Sequence, residues 1–431
     1  MGAVKMKWYA GSYRFYKFIA IISCLLYVCL DPAVARAENY RLLLASYKQT
    51  IYNNQNGMLS DEANAVAQSH DGYIWIGCNA GLMRYNGQFF QQMKDEKNRG
   101  ISRVTCLYED SKRRMWIGTK DEGLYCSESG KVRKKENIPA VRAVAEDRDG
   151  RVYLASAKGV AVYSDAEKEP LRWIEDPRLQ NHMVVSLAAE DIGRVWGVTY
   201  DGDVFLLDNF RTVAYFASRY FKGHFPKYVF CDRDGIVYLG TAGNTLMRLD
   251  SYVNEYANPD NLRFTLFSTG ETEDHLCLYQ DRDNRLMLCA RNGFGFFDRD
   301  MHFHKVEGGV FEASFDQMLQ DNYGSYWLAS SNGGALHIAK TRFTDVSSVA
   351  MAPETVYNAV TKYHGDLYMG ADTGLYILDR NRRPVRNALT DLLDGIRVRY
   401  FAKDKDDNLW IATYQRFGLL RYKNGTWQKW A

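Results

Sequence analysis

A tryptophan or its aromatic stand-in returns about every forty residues, as a rule just after an acidic turn and just before a glycine. The segments His70-Asp71-Gly72-Tyr73-Ile74-Trp75-Ile76-Gly77 and Asp110-Ser111-Lys112-Arg113-Arg114-Met115-Trp116-Ile117-Gly118 show the pattern, as does Asp406-Asp407-Asn408-Leu409-Trp410-Ile411-Ala412. The anchors fall at Trp75, Trp116, Tyr153, Trp196, Tyr238, Met287, Trp327, Tyr368 and Trp410, with successive spacings of 41, 37, 43, 42, 49, 40, 41 and 42. A fixed period of this size marks a repeat architecture, and every local reading has to agree with it.

Within one period the chain reads as four short strands. Ala63 to Gln68 is apolar, His70-Asp71-Gly72 turns it back, and Tyr73 to Cys78 is a near-continuous apolar run of the kind buried on both faces. Asn79-Ala80-Gly81 makes the next turn, Leu82 to Tyr85 the third strand, and Asn86-Gly87 a hairpin before Gln88-Phe89-Phe90. Four strands in about 42 residues make a β-propeller blade. The expected fold is therefore all-β, a propeller of four-stranded blades. Segments rich in Val, Ile, Tyr and Trp that alternate over a few residues exclude helical repeats. Nine anchors exceed the usual blade number of a single ring. The expected division is a seven-bladed propeller over 38–345 and two further blades over 346–431, the start of a second ring. One nine-bladed ring, closed by Arg41 to Tyr47, is the rival.

The first 37 residues read as an export signal. A basic start precedes the 13-residue apolar run Phe18 to Leu30, Asp31-Pro32 breaks it, and Ala35-Arg36-Ala37 has the small-x-small cleavage pattern. The run is short for a spanning helix, so cleavage is favoured over an uncleaved anchor, and either way the remainder is exported to the periplasmic or extracellular face. This segment also explains the charge. It carries Lys5, Lys7, Arg14, Lys17 and Arg36 against Asp31, a net of +4, so the formal +3 of the whole chain leaves about −1 for the rest. No basic field remains to attract nucleic acid. Cys78, Cys106, Cys126, Cys231, Cys277 and Cys289 lie at apolar strand positions without metal-ligand spacing, and are expected as buried free thiols.

The run Asn56-Gly57-Met58-Leu59-Ser60-Asp61-Glu62-Ala63-Asn64-Ala65-Val66, followed by Asp71-Gly72-Tyr73-Ile74-Trp75-Ile76-Gly77 and Gly81-Leu82-Met83-Arg84-Tyr85-Asn86-Gly87, resembles the two-component regulator propeller repeat. The resemblance extends over all nine repeats and is weakest at Met287, which lacks both ring and glycine. It implies the extracytoplasmic sensor region of a bacterial membrane receptor whose output is a histidine kinase or a diguanylate cyclase. No kinase motif, cyclase motif or second apolar span follows residue 37, so the expectation is the front half of such a receptor, non-enzymatic in itself and tied to a membrane only through the signal segment or a C-terminal span outside this chain.

No catalytic constellation is recognisable. His302-Phe303-His304 would place two imidazoles on one strand face, but no third ligand stands out, and no metal or cofactor is expected. The acids Asp71, Asp147, Asp149, Asp191, Asp232, Asp234, Asp281 and Asp283 serve hairpin geometry. In a propeller the turn between the second and third strands shares a face with the link between blades. Those turns offer Asn79, Lys120 with Asp121 and Glu122, Lys158, Tyr200 with Asp201, Asn244, Arg291 with Asn292, Asn332 and Asp372. Of these, Asn79, Lys120, Lys158, Tyr200, Arg291, Asn332 and Asp372 are the candidate ligand-binding residues. Tyr200 and Arg291 are favoured because an aromatic face and a fork of donors suit sugars and carboxylates. The expected partner is a small polar ligand such as an oligosaccharide, and a homodimer is compatible with the sequence. A secreted lyase or glycosidase, or a scaffold for protein partners, are the alternatives, since fold alone does not decide function.

Overall fold

The ring, the acid and the small residue that recur in the sequence turn out to be one hydrogen-bonded and packed unit. In this computed structural model residues 47–166, 169–250, 259–306, 313–340, 355–414 and 417–430 are described, so the export segment and all but Tyr47 of the strand expected over Arg41 to Tyr47 lie outside the described residues. Nine four-stranded antiparallel sheets are present among them, and eight are built from strands consecutive in sequence. The first runs Ala65–Gln68, Ile74–Gly77, Leu82–Tyr85, Phe90–Met93. The protein is an all-β propeller.

In the seven sheets of Gln49–Ala339 the second strand is buried from end to end because both faces of its sheet are covered, as at Met115–Thr119, Val152–Ser156 and Val195–Thr199; in the last sheet Leu409–Thr413 is only partly buried. The anchor ring packs within it, and its polar edge is satisfied six residues upstream. The indole N–H of Trp116 donates to Asp110 (2.8 Å), that of Trp196 to Glu190 (2.6 Å), that of Trp327 to Asp321 (3.1 Å) and that of Trp410 to Asp404 (2.7 Å). The same Asp110 carboxylate closes its own turn, accepting the backbone N–H of Lys112 and of Arg114 at 3.1 and 2.8 Å. In the first sheet Ser69 takes the place of the acid, accepting from Trp75 (3.0 Å) and donating to Asp71. At the degraded repeat Met287 has no N–H to give. Asp281 there accepts instead from Arg285 (2.8 Å) and from the Tyr326 hydroxyl of the next sheet (2.9 Å).

Glycine follows the ring two positions on because the next sheet approaches there. A Cβ at Gly118 would stand 2.8 Å from Val141 Cγ1, and one at Gly240 would stand 2.9 Å from His275 Cβ. Neither distance is tolerated by a close-packed interior.

The chain divides into two compact units, one of Gln49–Ala339 and one containing Lys340–Ala431. In the first unit seven sheets follow one another. The seventh joins Gln317–Gln320, Tyr326–Ser330 and Gly334–Lys340 to the earlier strand Tyr47–Tyr52 as its outer edge. The strand Tyr47–Tyr52, which precedes the repeats, therefore completes the seventh sheet rather than the ninth. A shared core of Val66, Ile76, Met83, Leu319, Trp327 and Ala335 joins the seventh sheet back to the first. A side-chain tether repeats at these junctions. The backbone N–H of the turn in one sheet donates to the Glu or Gln ending the inner strand of the next, as in His70 to Glu109 (2.9 Å), Ser111 to Glu146 (2.7 Å) and Arg282 to Gln320 (2.9 Å). Asn322 of the seventh sheet makes the same bond to Gln68 of the first (2.8 Å). The second unit holds two sheets that share a core around Tyr363, Leu375, Val398, Leu409 and Leu420.

Candidate functional site

Backbone hydrogen bonds stitch the turns between second and third strands to the links that enter the sheets, a link bonding to the turn of the preceding sheet, to the turn of its own sheet, or to both. In the first unit Arg103 N donates to Asn79 O (3.0 Å), Lys120 N to Arg103 O (2.9 Å) and Ala140 N to Lys120 O (3.0 Å). The series continues through Asn181 N to Lys158 O (3.2 Å), Tyr200 N to Met183 O (2.8 Å), Ala242 N to Phe225 O (2.9 Å), Asp274 N to Ala242 O (3.2 Å) and Arg291 N to Asp274 O (3.3 Å). It returns with Ala63 N to Ser330 O (2.8 Å). Turns and links thus lie together at one end of the seven sheets, in a backbone frame that leaves side chains to project from fixed points.

These side chains divide into two groups. Asn79 accepts from Asn64 (3.1 Å), Asn244 donates to Gly270 O (3.0 Å), Asn292 donates to Glu271 O (2.7 Å), and Asn332 accepts from Ser330 Oγ (2.9 Å). Asp121 pairs with Arg103, and Glu122 accepts from Ser102 and from the Tyr125 hydroxyl (3.2 Å). These groups hold the frame. Lys120 and Lys158 are exposed, and Tyr200 is 67 % exposed. Arg291 is 70 % exposed, yet its Nε donates to Asp274 (2.6 Å), and Lys227 pairs with the same carboxylate. Burial raises the Asp274 pKa, but the hydrogen bonds from Lys227 and Arg291 outweigh it and hold the carboxyl below its usual range. Asp372 belongs to the second unit, where it accepts from Asn358 (2.8 Å) and pairs with Arg397 (2.6 Å).

Sequence reasoning about the turns missed the links. Phe225, just before the inner strand Pro226–Cys231, lays its ring over Gly202, where a Cβ would meet it at 3.0 Å. Asp274, just before the inner strand His275–Gln280, is the residue that fixes Arg291. The signal available was position alone, immediately ahead of each inner strand. Below Asp274, His275 is fully buried. Its Nδ1 accepts the Thr241 N–H (3.2 Å) and its Nε2 faces Thr269 Oγ1 (3.0 Å), an arrangement for a neutral ring, and burial pushes its pKa down to about 4.

Of the histidine pair, His302 lies in the turn between Gly293–Phe297 and Phe303–Lys305, and His304 lies on the latter strand. Asp298, which the sequence did not single out, accepts from His304 (3.0 Å) and lies 3.6 Å from His302. Asp298, Asp300 and His302 stand close enough to face one ion, but the Asp298 carboxylate is already taken by the backbone N–H groups of Asp300 (3.0 Å) and His302 (2.9 Å), as in an ordinary aspartate turn. The six described cysteines are free, and burial raises the thiol pKa of Cys106 and of Cys126 to about 12 and of Cys277 to about 11, which leaves them unreactive.

Residues 100–121 and 391–415 match the family model of the two component regulator propeller. Those two stretches carry the two component regulator propeller repeat. No curated protein sequence matches the chain. Among solved structures, the extracellular domain of the hybrid two component system BT3049 from B. thetaiotaomicron is similar with a TM-score of 0.66 at 18 % identity, over 88 % of this chain and 53 % of that one. The extracellular domain of BT4673 from the same organism gives 0.54 at 18 % identity, over 88 % and 52 %. A virginiamycin B lyase from Staphylococcus aureus gives 0.55 at 13 % identity, over 68 % of this chain and 99 % of the lyase. At these identities the likeness is one of fold. The chain spans about half the length of the extracellular domains it resembles. Among the described residues no helix is long and apolar enough to cross a membrane.

Proposed function

We propose that this chain is an extracytoplasmic sensing module of a bacterial signal-transduction receptor, in which the seven sheets of Gln49–Ala339 form one complete propeller and the two remaining sheets begin another. The turn-and-link end of the seven sheets binds a small polar ligand, such as an oligosaccharide, on the periplasmic or extracellular side. The receptor's response, by a histidine kinase or a diguanylate cyclase, belongs to another part of the receptor.

One observation carries the reading. A backbone frame of turns and links runs along one end and presents Lys120, Lys158, Tyr200 and Arg291 to solvent, while acids such as Asp110 and Asp298 are consumed by their own turns. Donors and an aromatic face on a rigid frame suit a polar ligand. The repeat family and the likeness to extracellular domains of hybrid two component systems support the same role. The test is calorimetric titration of the chain against a panel of oligosaccharides and polar metabolites, with Tyr200→Ala and Arg291→Gln as controls. Binding weakened by either substitution is expected. Depolymerisation of a polysaccharide with no ligand bound would overturn the sensor reading in favour of an enzyme.

A further inference from the structure

The fourth, fifth and sixth sheets bring a distinct set of groups to the turn-and-link end. Tyr200 stands on the turn of the fourth sheet, and the Phe225 ring covers Gly202 of that same turn. Both rings are partly open to solvent, Phe225 at 38 %. Two residues beyond Phe225, Lys227 pairs with Asp274 on the next link, and Arg291 pairs with the other oxygen of that carboxylate. The carboxylate lies beneath at 14 % exposure, while both cations face water.

Asp274 is held from both sides. Its N–H donates to Ala242 O, its carbonyl accepts from Arg291 N, and its φ of 57° lies in the left-handed region. A carboxylate fixed in this way pre-sets two cations without using up their donors. Arg291 engages Asp274 through Nε and Nη2, so the rest of its guanidinium fork points outward, and Lys227 keeps further N–H groups. Cations whose side-chain freedom is already spent lose less on binding a ligand.

We propose that this arc, Tyr200 and Phe225 beside Lys227 and Arg291, takes a sugar unit bearing a single carboxylate, a uronic acid of an oligosaccharide. This rests on the glycan-sensing reading above. The rings cover the apolar face of the pyranose, and the outward donors of Arg291 and Lys227 take the carboxylate in charge-assisted hydrogen bonds. The same surroundings discriminate against polyanions. The link carrying Asp274 runs inward from the outer strand Phe264–Ser268, and Glu271 and Glu273 stand exposed on it before Asp274 is reached. One negative substituent meets the two cations, whereas several would meet those carboxylates as well.

The experiment is calorimetric titration of the full chain with disaccharides of galacturonic, glucuronic and mannuronic acid, their neutral counterparts, and a polysulfated disaccharide. An acidic disaccharide should bind about tenfold tighter than its neutral counterpart, the worth of one charge-assisted hydrogen-bond pair, with the preference shrinking at high salt. Arg291→Gln and Lys227→Met, each with an unchanged melting curve, should erase the preference, while Phe225→Ala should weaken acidic and neutral sugars alike. Equal affinity for the two kinds, a preference that survives both charge substitutions, or tighter binding of the polysulfated sugar overturns the uronate assignment and leaves the glycan reading standing. If no sugar of either kind binds, the glycan reading falls and this one with it.

Discussion

Replacing Asp110 by Ala should be among the most destabilising single changes available in the second sheet, out of proportion to the size of the group removed. Its side chain is wholly buried and makes four hydrogen bonds: to the N–H of Lys112 and of Arg114, to Arg114 Nε at 2.6 Å and to the Trp116 indole at 2.8 Å. Trp116 has no solvent exposure, so no water can replace the carboxylate at the indole, and an orphaned buried donor costs about 1–3 kcal/mol. Arg114 keeps its bonds to Asp165 at 3.0 and 2.9 Å, which lowers the loss on that side below the roughly 3–5 kcal/mol of a fully broken buried pair. The sum is about 3–5 kcal/mol, a fall in melting temperature of roughly 6–15 °C for a unit of this size.

The decisive assay is a double-mutant cycle with Trp116→Phe, read by urea denaturation of the four proteins. The phenyl ring keeps most of the packing and has no N–H to orphan. Asp110→Ala should therefore cost about 1–3 kcal/mol less in the Phe background than in the wild type. If Asp110→Ala costs the same in both backgrounds, the acid does not act through the ring, and the explanation of the paired acid and ring repeat is wrong.

Gly118→Ala should cost about 1–3 kcal/mol by overpacking against Cys106 Sγ and Val141, and Val141→Ala should restore part of that loss in a chemical melt. Gln68→Ala removes the tether from Asn322, and should cost about 0.5–1.5 kcal/mol while speeding amide exchange at the junction of the seventh and first sheets more than at the junction of the second and third. His275 binds its proton less well folded, at about 4, than unfolded, at 6.5. Its contribution is therefore complete above pH 6.5 and lost as pH falls towards 4, a difference of about 3 kcal/mol that His275→Gln should flatten in urea midpoints measured across that range.

The fold was legible because a propeller repeats its physics. A ring, an acid six residues earlier and a glycine two residues later are separate letters in the sequence, but one junction between sheets requires all three together. What the period did not reveal was the Glu or Gln one position ahead of the acid, at Gln68, Glu109, Glu146, Gln280 and Gln320. It reads as an ordinary polar strand end, and its partner is a backbone N–H in the preceding sheet, invisible to any pattern of side chains.

The site was less legible for the same reason. Turn residues such as Tyr200 and Arg291 can be found from strand spacing, whereas the groups that fix them come from links whose lengths vary. Asp274 and Arg291 are 17 residues apart on different segments, and nothing in either segment names the other. Asp372 shows the converse. It occupies the right place in its repeat, yet it belongs to a unit of two sheets and pairs with its own neighbour Arg397. A repeat tells which end of its sheet a residue occupies; whether several such residues can meet one ligand depends on the sheets closing upon each other. Here closure is a matter of two strand-end contacts far apart in sequence, Tyr47–Tyr52 added to the seventh sheet and Asn322 bonded to Gln68. A propeller whose ends are joined this way can hold its turn-and-link frame rigid without any group dedicated to that purpose.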